Sequence, residues 1–131
     1  MSYERWRDWL DEARDDFSSA ELLLKNGKYS KVCFLSHQAG EKAVKALLIL
    51  KLKKFEVIHS VAELLRRAGA SDEVIQLGLE LDKHYVLARY PNAWPHGSPS
   101  KIYRREEAEK ALDSARRILE YVEREVEAYL K

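Results

Sequence analysis

One segment, residues 29–53, constrains the fold of this chain more than any other because its apolar residues surround most of a helix. One face of such a helix carries Val32, Leu35, Ala39, Ala43, Ala46 and Leu50, and further apolar residues, Phe34, Val44, Leu47 and Leu48, fall elsewhere on its circumference. A helix that is apolar on most sides must be covered by neighbours on most sides. The segment therefore predicts a central helix around which the rest of the chain packs.

Two other long segments carry a single apolar stripe each, as expected of helices that cover a central one. Residues 3–26 have apolar residues three or four positions apart, and so do residues 104–130. The pair Asn26-Gly27 predicts the end of the first helix, because glycine readily adopts the left-handed conformation that follows a helix. Trp6 and Trp9 begin the first stripe, and they pack either in the core or against a second subunit.

Shorter helices are predicted between these long ones. Ser60 and Glu63 have the spacing of a capping box, in which each side chain binds the backbone of the other residue. A short helix should follow as far as Arg67. Ser71 should open a fourth helix, which we expect to present Arg89 at its carboxyl end.

Together these elements predict an all-α protein, an up-and-down bundle of four to five helices. The 131 residues suit a single domain covering residues 1–131. Only five glycines and three prolines occur, and 46% of the residues are hydrophobic. This composition is typical of a soluble helical protein rather than of a disordered chain.

Charge and cysteine content narrow the class of function. The 23 basic and 22 acidic residues give a formal net charge of +1, so nucleic-acid binding requires a local basic patch. The single cysteine, Cys33, lies in an apolar run and excludes a disulfide framework. We therefore expect a buried, inert thiol and a cytoplasmic protein. The longest apolar run, residues 46–50, is too short to cross a membrane.

The helical pattern stops between Tyr85 and His96, and all three prolines lie in this segment or just after it. The same segment concentrates groups that can do chemistry. An arginine can bind a phosphate through two hydrogen bonds, and a histidine can transfer a proton near neutral pH. We therefore take Arg89 and His96 as candidate catalytic residues, with Tyr85, Tyr90 and Trp94 as candidate binding residues.

These side chains suit metal-independent cleavage of a phosphodiester bond in RNA. The 2′-hydroxyl would attack the adjacent phosphate while His96 moves a proton and Arg89 holds the phosphoryl oxygens. Tyr90 and Trp94 can stack on bases. Basic residues that follow, Lys101, Arg104 and Arg105, can contact the nucleic-acid backbone.

Two alternatives remain open for the same segment. In the first, its side chains bind a nucleotide without catalysis. In the second, Arg89 pairs with a carboxylate such as Glu41, Tyr85 and Tyr90 pack in the core, and His96 is solvated.

Polar residues on the predicted central helix need partners or a cleft. Glu41 and Lys45 are one helical turn apart, and they either form an ordinary surface ion pair or line a cleft as binding residues. His37 and Glu41 have a spacing that suits metal ligands, but the sequence has no second histidine–carboxylate pair to complete such a site. We therefore expect neither a metal nor a cofactor.

Three segments, in order along the chain, resemble the HEPN domain family. They are Gln38-Ala39-Gly40-Glu41-Lys42-Ala43-Val44-Lys45-Ala46-Leu47 in the central helix, His59-Ser60 before the third helix, and Tyr85-x-x-x-Arg89-Tyr90-Pro91 after the fourth. The closing long helix is also in the expected place. The resemblance therefore covers nearly the whole chain.

The resemblance implies an all-α bundle, commonly a homodimer, often encoded beside a minimal nucleotidyltransferase. Some members of the family are ribonuclease toxins that this partner neutralises, and others are described only as nucleotide-binding. The family's ribonuclease motif, an arginine followed a few residues later by a histidine, falls on Arg89 and His96. Its acidic-x-x-x-basic pattern falls on Glu41 and Lys45.

Two departures from the family pattern concern tyrosines. Tyr90 occupies the position after the arginine that is usually polar. In the toxin branch, a tyrosine close after the histidine can be modified by the partner enzyme, and the next tyrosine in this chain is Tyr103.

Two hypotheses of function follow. The first is a homodimeric, cytoplasmic HEPN protein with an RNA- or nucleotide-binding cleft, acting as the ribonuclease toxin of a toxin–antitoxin pair with a nucleotidyltransferase. The second is a non-catalytic, nucleotide-binding partner subunit of a minimal nucleotidyltransferase.

Overall fold

The computed structural model describes residues 3–131, and over this range it contains helices and no strand. Seven α-helices follow one another: α1 (Trp6–Lys25), α2 (Tyr29–Leu52), α3 (Val61–Arg67), α4 (Asp72–Asp82), α5 (His84–Leu87), α6 (Pro99–Ile102) and α7 (Arg105–Leu130). Short 3₁₀ turns span Tyr3–Arg5 and Pro91–Ala93. The all-α prediction is confirmed, and α5 and α6 are single turns that the sequence pattern did not indicate.

Helix α2 lies at the centre of the bundle, as its apolar circumference predicts. It packs against α1, α3, α4 and α7. Buried residues occur on all its sides, and Val32, Ala39, Val44, Leu47 and Ile49 have no exposed surface. Cys33 is among the buried residues, and burial raises the pKa of its thiol to about 12. The expectation of a buried thiol is therefore confirmed, and the raised pKa favours the unreactive protonated form.

Ion pairs between the long helices show their relative directions. Lys42 of α2 binds Asp16 of α1 at 2.8 Å, and Lys51 of α2 binds Glu125 of α7 at 3.2 Å. The first pair joins the middles of α1 and α2, which run antiparallel through the short connection at Gly27. The second joins the carboxyl ends of α2 and α7, which therefore run parallel. This arrangement agrees with the predicted up-and-down bundle.

The two tryptophans of α1 have different environments. Trp6 is only 7% exposed and belongs to the core. Trp9 is partly buried and packs on Phe55, with ring centres 5.2 Å apart. Of the two roles that were open for Trp6, the structure supports a place in the core of one chain.

Helices α3 and α4 approach each other closely at Gly78. A Cβ atom at this position would lie 2.8 Å from the backbone nitrogen of Ala62 and 2.9 Å from its Cα. Distances this short allow no side chain, so the glycine is what permits α4 to lie against the first turn of α3. This contact brings Asp82, at the end of α4, beside the amino end of α3.

The expectation that the fourth helix extends to Arg89 is wrong. Helix α4 ends at Asp82, and Lys83 has φ −63° and ψ −21°. These angles are typical of a 3₁₀ turn, which tightens the backbone before α5 begins at His84. Arg89 therefore follows α5 rather than α4. No helix within residues 3–131 is long and apolar enough to span a bilayer.

Candidate functional site

Glu41 and Lys45 form a buried ion pair on α2. Lys45 Nζ donates to Glu41 Oε2 at 2.8 Å, and the Lys45 and Glu41 side chains are only 5% and 7% exposed, respectively. The interpretation as an ordinary surface pair is therefore wrong. Burying two charges costs about 5 kcal/mol of desolvation per ion, which their attraction only partly offsets. A fold seldom keeps such a pair for stability alone.

A third group, His59, completes this cluster from the connection before α3. Its Nδ1 lies 3.2 Å from Glu41 Oε2. Because a carboxylate only accepts hydrogen bonds, Nδ1 carries the proton and donates it. The His59 side chain is 55% exposed. The buried Glu41 carboxylate therefore binds one nitrogen of a ring that solvent can still reach. The second oxygen, Glu41 Oε1, is buried without a hydrogen-bond partner among residues 3–131.

His37 and Asp82 form a second polar group next to the first. His37 is fully buried, and its Nε2 donates to the carbonyl oxygen of His59 at 2.9 Å. The same nitrogen lies 3.4 Å from Asp82 Oδ1. His37 thus fixes the backbone of His59 while Glu41 fixes its ring.

Asp82 caps the first turn of α3, although it belongs to α4. Its carboxylate accepts the Ser60 hydroxyl at 2.8 Å and the backbone N–H groups of Val61 and Ala62 at 2.7 and 3.2 Å. Burial acts to raise the pKa of Asp82, but hydrogen bonds from His37, Ser60 and the two amides outweigh it and hold the pKa below its ordinary value.

The predicted capping box is half correct. Ser60 Oγ accepts the N–H of Glu63 at 3.1 Å, as expected. The Glu63 carboxylate, however, binds Arg66 at 2.6 Å and Arg67 at 3.2 Å on the outer side of α3. Asp82 supplies the carboxylate at this helix end instead.

Tyr85, in α5, lies between the two histidines. Its ring stacks on His59 with centres 5.0 Å apart and planes at 17°, and it packs on His37 at 5.0 Å with planes at 46°. An open cavity of about 200 Å³ is lined by His37, His59, Ser60, Asp82 and Tyr85. We call this cavity the Tyr85 cleft.

Arg89 is held by aromatic rings rather than by a carboxylate. Its Cζ lies 4.6, 4.5 and 4.7 Å from the ring centres of Phe34, Tyr85 and Tyr90. Its Nε donates to the carbonyl oxygen of Tyr85 at 2.7 Å. Within residues 3–131 no carboxylate lies at salt-bridge distance from it, so the alternative of a pair with Glu41 is wrong. The two terminal nitrogens are left available for an anion.

Trp94 and His96 are placed apart from this arginine. The half-buried Trp94 donates through Nε1 to the carbonyl oxygen of Leu87 at 2.8 Å and packs edge-on against Tyr103. His96 is exposed, and in the described part of the chain its side chain makes no hydrogen bond, ion pair or ring contact. Tyr90 is 49% exposed beside Arg89. The structure thus links the Glu41–Lys45 pair to Tyr85 through His59 and packs Arg89 against both Tyr85 and Tyr90. It shows no contact between Arg89 and His96 among the described residues.

Tyr103 is not accessible in this fold. It is 5% exposed, and its hydroxyl is hydrogen-bonded to His84 Nδ1 at 2.8 Å. Burial raises the pKa of the Tyr103 hydroxyl above its ordinary value. A modifying enzyme would have to open the core to reach it.

The sequence left three members of this site without a role: His37, His59 and Asp82. His37 gave a signal, since it is a polar residue on an otherwise apolar helix. His59 directly precedes the predicted helix cap, where a histidine is typical of turn geometry, so its position gave no signal of catalysis. Asp82 gave no signal, because its partners lie 20 to 22 residues away in the sequence. No group of three or more His, Cys, Asp or Glu residues in positions 3–131 is arranged to hold a metal ion.

Comparison with known proteins extends over most of the chain. Residues 6–125 match the HEPN domain family. The candidate toxin MJ1304 of Methanocaldococcus jannaschii is 30% identical over an alignment of 127 positions that covers 87% of this chain and 83% of that protein.

Solved structures share the fold. The protein TT1696 from Thermus thermophilus is 38% identical with a TM-score of 0.87, covering 92% of this chain and 98% of its own. The archaeal HEPN homologue ST0689 is 34% identical with a TM-score of 0.80, covering 94% and 97%. A HEPN domain protein from Thermotoga maritima is 34% identical with a TM-score of 0.70, covering 88% and 94%. The chain therefore belongs to the HEPN domain family.

Proposed function

We propose that this protein is a HEPN toxin that binds RNA beside the Tyr85 cleft and cleaves it without a metal ion. The observation that carries the proposal is the position of Arg89. Its guanidinium lies on three aromatic rings, its Nε is used by a backbone carbonyl, and no described carboxylate neutralises it. An arginine held in this way presents two N–H-bearing nitrogens in a fixed plane, which matches the oxygens of a phosphate.

The chemistry assigned to the site uses one phosphodiester unit. Arg89 binds the non-bridging phosphoryl oxygens and stabilises the charge that grows on them as the 2′-oxygen attacks phosphorus. The P–O5′ bond breaks, and His96 takes part in moving the proton between the two oxygens. The exposed ring of Tyr90 offers a surface on which a base can stack.

Similarity supports the toxin role independently of the site. The protein of Methanocaldococcus jannaschii that matches this chain is named as a candidate toxin. A net charge of +1 argues against nonspecific attraction of long nucleic acids, so recognition falls to local contacts around Arg89.

A cleavage assay tests this proposal. Purified protein is incubated with total RNA in the presence of EDTA, alongside the Arg89→Ala and His96→Ala variants and an Arg66→Ala control on the outer side of α3. We expect cleavage by wild type and by the control, and losses of about 100-fold in both site variants. Absence of cleavage by the wild type at high concentration would sink the enzymatic role.

A second candidate function is favoured by the exposed, unpartnered state of His96. Since no described side chain orients its ring, the site is also suited to hold a nucleotide without cleaving RNA, as a subunit that works with a nucleotidyltransferase. Calorimetry with nucleoside mono- and triphosphates separates the two functions. Saturable binding that Arg89→Ala abolishes, without any RNA product, favours the second.

Assembly is part of the proposal. We expect a cytoplasmic homodimer and a minimal nucleotidyltransferase as the neutralising partner. Light scattering at micromolar concentration tests the dimer, and a monomer would remove it. Co-expression with the product of a neighbouring nucleotidyltransferase gene, followed by co-purification, tests the partner.

A further inference from the structure

We propose that His59 is the general base of RNA cleavage, with Glu41 as its positioning residue. This inference rests on the proposed ribonuclease function and adds to it a residue outside the Arg89 and His96 segment. It starts from the hydrogen bond of 3.2 Å between His59 Nδ1 and Glu41 Oε2. That bond leaves the lone pair of His59 Nε2 free, on a side chain that is 55% exposed.

The histidine is held at three points. Glu41 binds its ring nitrogen, His37 Nε2 binds its backbone carbonyl at 2.9 Å, and Tyr85 stacks on its face at 5.0 Å. A carboxylate that orients an imidazole, so that the opposite nitrogen accepts a proton, is the arrangement that activates nucleophiles in hydrolases. His96 has no comparable support within the described chain.

The buried ion pair explains why Glu41 suits this task. Lys45 Nζ lies 2.8 Å from the same oxygen that His59 approaches, so the carboxylate remains compensated in the core whether or not His59 is charged. Glu41 Oε1 has no hydrogen-bond partner among the described residues, a cost that stability alone would not favour. The pair is better understood as support for the histidine.

Arg89 lies close enough to act on the same substrate. The His59 ring centre is 5.0 Å from the Tyr85 ring centre, and Arg89 Cζ is 4.5 Å from that same point. The sum of these two distances is the largest possible separation between the two groups. The proposal places the 2′-hydroxyl of one ribose–phosphate unit at His59 and its adjacent phosphate at Arg89.

Cleavage at this site is a transesterification within one ribose–phosphate unit. His59 Nε2 takes the proton from the 2′-hydroxyl as the O2′–P bond forms and Arg89 binds the phosphoryl oxygens. The P–O5′ bond breaks, and the 5′-oxygen leaves with a proton supplied by His96 or by solvent. The products are a 2′,3′-cyclic phosphate and a 5′-hydroxyl, which need no oxidant, metal or further reactant.

The decisive variant is His59→Asn. The asparagine amide can still donate to Glu41, so the hydrogen bond that anchors this position is kept. Asparagine has no atom that corresponds to Nε2. We expect kcat to fall by about 100-fold or more while KM, and affinity for an uncleavable 2′-O-methyl RNA, change by less than about threefold. Glu41→Gln should lower kcat by about tenfold or more with the same unchanged KM. Glu63→Gln, on the outer side of α3, is the control for a substitution near the amino end of this helix.

The cleavage rates of the variants separate the role of His59 from the ribonuclease function itself. If wild type cleaves, His96→Ala is inactive and His59→Asn cleaves at the wild-type rate, this inference is overturned while the ribonuclease function stands. If wild type cleaves no RNA, both fall. A readout without catalysis is the tautomer of His59 in a long-range ¹H–¹⁵N spectrum. The Nδ1-protonated form is expected in wild type, and an Nε2-protonated neutral form would overturn the assignment.

Discussion

Asp82, the last residue of α4, accepts the backbone N–H of Val61 at 2.7 Å and so caps a helix that begins 21 residues earlier in the chain. The same carboxylate binds Ser60 Oγ at 2.8 Å and lies 3.4 Å from His37 Nε2. Since His37 and Ser60 both neighbour His59, the cap of α3 and the candidate site share one carboxylate.

Replacing this carboxylate should lower stability in a pH-dependent way. We expect Asp82→Ala to cost ~2 kcal/mol at neutral pH, because two backbone N–H groups and a hydroxyl lose their acceptor. The folded-state pKa lies below the ordinary value of 3.8, so the contribution is complete above that value and is lost as pH falls below it. Urea unfolding at neutral and acid pH measures both effects.

The exposed Asp15, in the middle of α1, provides the control. Asp15→Ala should cost little at neutral pH. An Asp82→Ala cost no larger than that of Asp15→Ala would contradict the capping role.

Gly78→Ala should destabilise the α3–α4 contact. The added Cβ would meet the backbone nitrogen and Cα of Ala62 at 2.8 and 2.9 Å, and a backbone cannot move as a side chain can. We expect a net loss of ~2 kcal/mol, since overpacking outweighs the better helix propensity of alanine. Gly40→Ala is the matched control, because its nearest atom at 2.8 Å is the side-chain end of Leu81. If the two variants unfold at the same urea concentration, the close backbone approach does not limit this contact.

The sequence predicts the parts of this fold that depend on local periodicity. The central position of α2 follows from apolar residues on all sides, the end of α1 follows from Gly27, and the start of α3 follows from Ser60. Each of these signals is contained within a few residues, where helix geometry determines which side chains share a face.

The parts that were missed depend on contacts between distant segments. The capping carboxylate at α3 comes from Asp82 and not from Glu63, because α4 reaches the amino end of α3 only after Gly78 has allowed the close approach. Arg89 similarly contacts aromatic rings from α2 and α5 rather than Glu41. Sequence spacing indicates which groups can act, but packing decides which of them meet.

Stability should also depend on pH through His84. Burial lowers the pKa of this histidine to about 4, with a further contribution from the Lys83 ammonium. Between its ordinary value of 6.5 and about 4, the unfolded chain binds a proton that the folded chain does not. The contribution of His84 to the free energy of unfolding is therefore complete above the upper value. It falls as pH decreases through this window, by about 3 kcal/mol at most.

His84→Asn tests this dependence. The variant should show a smaller slope of unfolding free energy against pH between 6.5 and about 4, whatever its stability at neutral pH. The His96→Gln variant, which removes a histidine from the exposed loop, is the comparison. Equal slopes in wild type and His84→Asn would show that burial does not keep His84 neutral over this pH range.

Two lysines of α2 offer a direct comparison between a buried and a partly buried ion pair. Lys45 binds Glu41 at 2.8 Å with side chains 5% and 7% exposed, and Lys42 binds Asp16 at 2.8 Å with side chains 25% and 15% exposed. The distances are equal, so the difference in burial determines the difference in cost.

Lys45→Met should cost ~3 kcal/mol, because it leaves the Glu41 carboxylate buried without its ammonium partner. Lys42→Met should cost no more than ~1 kcal/mol, since Asp16 can still be solvated. Urea unfolding at neutral pH measures both. The double variant Glu41→Gln with Lys45→Met should recover part of the loss, because the unpaired charge is removed together with its partner. If the double variant is less stable than Lys45→Met alone, Glu41 contributes to the fold through its own contacts, and its pairing with Lys45 is not what makes the single substitution costly.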